Sequence, residues 1–302
     1  MKFTAFKVGD GDRLLIEGKN ANILVDGGRK GGFKASALPT LGQMAADGKT
    51  LDLVCVSHID EDHITGVVDL IDRRRSWAIF DFQNDEPGGA QIDEPEQPRV
   101  PRIRQLWHNS FGETFKDAST KVTNALGFHS QLLEASSTLK DTTYGSQFGR
   151  LAQGAKRAIE LELMLSHSPM GITFNGPSTA AVCEPRLLRL QTPPQTAAVN
   201  GVTVHLVGQT QKNFDDSFKD WNTWVKKNGE KIEDMKKEFQ REFPTGNALD
   251  FLAFSVKQAG LGNIGDVTPP NIASIMFLLE EDDQRILMTG DGAAQDILAG
   301  LE

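Results

Sequence analysis

The chain has 302 residues, of which 39% are hydrophobic and 24% charged, with a formal charge of −9 at pH 7. That size exceeds the usual single-core range of about 100 to 200 residues and excludes a minimal zinc finger, while the balance excludes a disordered or fibrous chain. The negative charge excludes a broad basic surface that neutralises many phosphates, and two cysteines, Cys55 and Cys183, cannot make a disulfide framework.

In chain order, Lys2 to Val8, Arg13 to Glu17 and Ala21 to Val25 read as a meander of short strands, separated by the turn-rich Gly9-Asp10-Gly11-Asp12 and Gly18-Lys19-Asn20. Asp26-Gly27-Gly28 closes the third strand, and its glycines allow close backbone approach beside a carboxylate. A helix is expected near Ser36 to Ala46. Leu51 to Val56 reads as a buried strand with Cys55 as an inert thiol, and Ile64 to Arg73 as a helix with apolar residues at 64, 67, 68 and 71. Trp77 to Phe82 is predicted as the next strand, completing a β-α-β unit and an α/β architecture.

Asn84 to Pro98 carries five acids, no base and three prolines, which predicts a solvated loop. Arg102 to Trp107 returns to strand, Phe115 to about Leu165 reads as a helical insertion, and Ser166 to Gln195 as irregular structure. Gly201 to Val207 resumes the strand pattern. Phe214, Phe218, Trp221, Val225, Ile232, Met235 and Phe239 form one apolar helical stripe expected to pack on the parent domain. A hairpin through Glu281-Asp282-Asp283-Gln284 and a helix from Ala293 to Leu301 end the chain. One domain over 1–302 is expected, with core at 1–83, loop and insertion at about 84–200, and core again from about 201. No apolar run approaches the roughly 20 residues that span a bilayer and no secretory signal is visible, so no membrane partner and a cytoplasmic location are expected.

The chemistry-bearing stretch is Ser57-His58-Ile59-Asp60-Glu61-Asp62-His63, between the buried strand and its helix. Two imidazoles and three carboxylates at a strand end repel and desolvate one another unless cations neutralise them. Borderline divalent metals such as Zn²⁺ accept both donor types.

His58-x-Asp60-x-Asp62-His63 followed by Ile64-Thr65-Gly66 resembles the metal-binding signature of the metallo-β-lactamase fold, with Asp60 in place of the usual histidine. The Asp60 form resembles the branch that includes the hydrolase domain of the bacterial DNA-uptake competence channel. Val8-Gly9-Asp10-Gly11-Asp12, Ile23-Leu24-Val25-Asp26-Gly27-Gly28, and Asn271-x-x-Ser274 ahead of Leu287-Met288-Thr289-Gly290-Asp291 match in the same order. The resemblance implies an αββα sandwich with a helical insertion and two divalent metal ions, zinc first and manganese as the alternative. His58 and Asp60 would hold one ion, Asp62 and His63 the other, with Asp291 as the bridge, Asp26 as support from behind the ligands and Asp62 orienting the attacking water. His108 is a weaker ligand candidate than these, ahead of His129 and His167, and His205 reads as a strand histidine.

The implied activity is hydrolysis by a hydroxide that two metal ions activate, on a nucleic acid or small phosphodiester substrate. Arg73-Arg74-Arg75 and the Arg99, Arg102, Arg104 group are candidate phosphate contacts. An ester, lactone or β-lactam is the alternative substrate, and a regulatory or scaffold subunit the alternative role. Relatives continue past the Thr-Gly-Asp turn into more strands and a paired-histidine motif. The C-terminal half-sheet is therefore expected to be incomplete in this chain and completed by a C-terminal fragment or second chain.

Overall fold

The computed structural model describes residues 1–7, 11–85, 92–109, 154, 156–165, 170–175, 188–190, 196–208, 210–213, 215, 219, 241, 274–292 and 294–301. Strands β1 (Lys2–Ala5), β2 (Leu14–Glu17) and β3 (Asn22–Val25) form an antiparallel meander. Helix α1 (Lys30–Gly32), a π-helical turn (Phe33–Ala37) and α2 (Leu38–Ala46) then cross to β4 (Thr50–Leu51) and β5 (Leu53–Cys55). Helix α3 (Glu61–Asp85) leads on to β6 (Arg102–Ile103), β7 (Gln105–Trp107) and, further along the chain, β8 (Thr173–Phe174). The main sheet has the order β1-β2-β3-β5-β7-β8 and is parallel from β3 onward. A small parallel ladder joins β4 and β6.

A second sheet, entirely antiparallel, has the order β12-β11-β10-β9, from β9 (Thr196–Val199), β10 (Val202–Leu206), β11 (Phe277–Glu281) and β12 (Gln284–Met288). Helix α4 (Ala294–Leu301) follows. The period of two along each strand divides the core. Leu15, Leu24, Val54 and Leu106 point to the helical side, where they pack with Phe33, Leu41, Ile64, Val67 and Ile71. Ile16, Ile23, Val25, Leu53, Cys55 and Trp107 point the other way, onto Val202, Val204, Phe277 and Leu279 of the second sheet. The central strands β3 and β5 are thus covered on both faces, which is why they read as apolar runs.

The carboxyl ends of β3, β5 and β7 lie along one edge, where open α/β sheets present their functional loops. Hydrogen bonds from Asp26 N–H to the Cys55 carbonyl and from Val56 N–H to the Trp107 carbonyl, both 2.8 Å, carry the alignment past the strand ends.

Two sequence expectations need correction. Trp77 to Phe82 is not a strand: it is the continuation of α3, and the β-α-β unit closes at β7. Burial at 67, 68, 70, 71, 74, 77 and 78 keeps helical spacing, but Arg74 occupies one inward position and disguises the stripe. The acidic segment consequently starts two residues late, with Asn84 and Asp85 still helical. The strand expected from Gly201 is present as β10, the second half of a hairpin opened by β9, and Asn200 and Gly201 both take positive φ (46° and 95°) in its turn. That Asn-Gly pair is a hairpin signal in its own right.

The hairpin at Glu281 to Gln284 and the C-terminal helix fall as expected. Residues 156–165 are helical, with Ala158 and Leu161 buried against the main core. Most of the 115–165 insertion, every residue of the stripe from Phe214 to Phe239, His129, His167 and Cys183 lie outside the described residues. Among the described residues, no helix is long and apolar enough to cross a membrane.

Candidate metal centre

Asp26 ends β3 in the left-handed region, φ 60°, and is fully buried. A non-glycine residue held there costs on the order of 1 kcal/mol, so surrounding contacts must hold it. They are backbone contacts: Gly27 N–H donates to the His63 carbonyl (2.7 Å) and Gly66 N–H to the Gly28 carbonyl (2.9 Å). A Cβ on Gly27 would lie 2.2 Å from the Val67 nitrogen, and one on Gly66 2.0 Å from the Gly27 oxygen. Only glycines let the loop after β3 lie directly on the first turn of α3, and this sets Asp26 beside His63.

The Asp26 carboxylate organises the loop after β5. One oxygen accepts the Ser57 backbone N–H (2.7 Å); the other accepts the Ser57 hydroxyl (2.6 Å) and faces His63 Nδ1 at 2.9 Å. Because the hydroxyl donates to Asp26, its oxygen is free to accept from His58 Nδ1, 3.0 Å away. In the neutral rings this network places the proton on Nδ1 and leaves both Nε2 lone pairs to a cation. Those two atoms converge on one carboxylate: His58 Nε2 is 3.7 Å and His63 Nε2 3.8 Å from the oxygens of Asp291, delivered by the turn after β12. The rings are tilted with centroids 4.0 Å apart. His58 Nε2 is buried and has no hydrogen-bond partner among the described residues.

A buried, unpartnered nitrogen is costly unless something fills its lone pair, and an N,N,O donor set suits a borderline divalent cation. Without a cation, burial opposes charging of His63, but the hydrogen bond and charge of Asp26, joined by Asp291 and Asp62, raise it to about 9.

Among the described residues, two sets of three bring their ligand atoms within 4.8 Å of one another: His58, His63 and Asp291, and Asp12, Asp26 and His63. Of the other residues expected at the site, Asp60 lies 3.6 Å from His58 Nε2 and completes neither set. Asp62, on the first turn of α3, acts on His63 by charge and also stands outside both. Glu61 is turned away to Arg29, at 2.8 Å. His108 follows β7 and is wholly buried, with both ring nitrogens unpartnered among the described residues, and burial lowers it to about 4 against a small opposing pull from Asp26. It joins neither set, and Asn175 instead clasps its backbone.

Asp12 is the residue that sequence reasoning missed; its signal is the carboxylate that ends the Gly9-Asp10-Gly11-Asp12 turn. Cys55 is buried, and burial pushes its thiol well above the usual range, as expected of an inert cysteine. The arginines lie elsewhere. Arg73 is bound to Asp69 (2.7 Å), Arg74 is buried, and Arg99 pairs with Asp81 and lies over the Trp77 ring. Arg102 and Arg104 precede β7, at the end of the sheet opposite the histidines.

Comparison with curated proteins finds no match to this chain. A family model described as the metallo-beta-lactamase superfamily matches residues 8–75, the stretch that carries Asp12, Asp26, His58 and His63, and it points to a metal-dependent hydrolase.

Proposed function

We propose that the chain is a hydrolase of phosphodiester bonds that works with two divalent cations, zinc first and manganese as the alternative. The observation that carries the reading is the convergence of two Nε2 atoms on Asp291, with His58 Nε2 buried and without a partner. In this reading His58, His63 and Asp291 hold one cation with Asp60 in reach, and Asp62 orients the attacking water. Bound there, the metals would bring the pKa of water toward neutrality and polarise the substrate oxygen. The protein's part is orientation: Asp26 and Ser57 hold both imidazoles in the tautomer that presents Nε2.

The preference for phosphodiesters over esters, lactones or β-lactams rests on the resemblance of His58-x-Asp60-x-Asp62-His63 to the competence-channel hydrolase domain. A small phosphodiester is favoured over a long duplex by the −9 charge and by the engagement of Arg73 and Arg99 with acids. The same reading includes an αββα sandwich and a cytoplasmic setting.

The test is a panel of bis-nitrophenyl phosphate, labelled single-stranded and duplex nucleic acid, and nitrocefin, with zinc- or manganese-loaded protein and its Asp62→Ala variant. Cleavage of the phosphodiester that chelation and Asp62→Ala abolish is expected. Nitrocefin turnover alone would move the assignment to carbonyl substrates, and bound metal with no turnover of any substrate would favour a scaffold role.

A further inference from the structure

Asp12 is held from both sides. Gly11 before it has φ +75°, and a Cβ there would lie 2.0 Å from the Asp62 carbonyl oxygen, so the turn lies against the start of α3. After it, Arg13 is fully buried, and its guanidinium donates to the carbonyls of Gly27 (2.7 Å) and Gly32 (2.8 Å) and to the Ser36 hydroxyl (2.7 Å). The backbone at Asp12 is thereby tied to the segment that carries Asp26, and its carboxylate lies within 4.8 Å of the ligand atoms of Asp26 and His63. No hydrogen bond or ion pair reaches that carboxylate among the described residues. Asp26 is already engaged by Ser57 and His63, which makes Asp12 the open carboxylate at this end of the centre.

The unpartnered Nε2 of His58 at the other end of the same centre independently indicates a missing ligand.

We propose that Asp12 is a further ligand of the cation that His63 Nε2 binds, giving one carboxylate oxygen while Asp26 stays bound to Ser57 and to His63 Nδ1. The inference rests on the metal-dependent reading above.

Metal-depleted wild-type and Asp12→Asn proteins are to be titrated with Zn²⁺ by calorimetry, bound zinc counted after dialysis, and both melted with and without zinc. The variant is expected to lose roughly tenfold or more in affinity for one zinc ion, with partial recovery in Asp12→Glu. It should melt no lower than wild type without zinc, and gain less from added zinc. A merely structural Asp12 would do the opposite, lowering the metal-free melt and leaving affinity intact. If the Asn variant lacks a cooperative melt, Asp12→Ser is read by the same criterion. Wild type and variant binding zinc equally would overturn the role of Asp12 alone. Wild type that binds no zinc would overturn the metal-dependent reading together with it.

Discussion

The two sheets contribute unequally to the centre. Strands β3 and β5 of the main sheet are buried on both faces, and the loops that follow them carry Asp26, Ser57 and His58, with His63 on the next helix. Strands β10 and β11 of the second sheet alternate between buried and half-exposed positions, and the turn after β12 adds one residue, the part-exposed Asp291. The difference separates two tasks: the doubly covered sheet fixes the imidazoles and their tautomers, and the singly covered one brings up a carboxylate.

The largest break in that comparison is expected from Gly66→Ala, which would push a methyl into the Gly27 carbonyl. A loss of about 4 kcal/mol, or failure to fold, should appear in urea denaturation, and an unchanged midpoint would mean the loop after β3 is not held by this contact. Next, Leu24→Ala in the fully covered sheet should cost about 3 kcal/mol, whereas Leu278→Ala on the outward side of β11 should cost about 1 or less. Similar losses would show the second sheet to be as well covered as the first.

A pH series sharpens the comparison further. His63 in the metal-free protein is raised to about 9 from 6.5, so the folded state keeps a proton that the unfolded chain releases. That contribution is complete below the unfolded value and fades as pH rises through the folded one, with an upper limit of about 3 kcal/mol. The metal-free midpoint should therefore fall between about pH 7 and 9, and Asp26→Asn should flatten the slope. The smallest stability effect belongs to Asp291→Asn. As a part-exposed side chain in a turn, it should change metal-free stability by no more than about 0.5 kcal/mol while weakening zinc binding. A large loss of metal-free stability would give Asp291 a structural duty as well.

Much of the site was legible because its chemistry is local. His58 to His63 are contiguous in the sequence, and the apolar run before them predicts the strand end that presents them. Asp26 could be read from the glycines beside it. Asp12 was harder: a carboxylate in a turn resembles a solvated one until the burial of Arg13 shows which way the backbone is pulled. The long reach of α3 was obscured for a related reason, since buried Arg73 and Arg74 look like a solvated helix end in sequence. In both places a charged residue lies where apolar ones normally mark the inside, and periodicity carries no information about that.

Ser57 has a consequence for how the centre assembles. Its N–H and hydroxyl bind Asp26 of the main sheet, while its carbonyl accepts the N–H of Ile275 (2.7 Å), the residue that leads into β11. One residue is therefore both the seam between the halves and the neighbour of the His58 ring. Opening the seam would move Asp291 away from both Nε2 atoms, so a cation spanning them would act as a reversible cross-link between segments far apart in the sequence. Exchange of the Ile275 amide with solvent would then slow on metal addition, reporting the cross-link from a position that touches no metal.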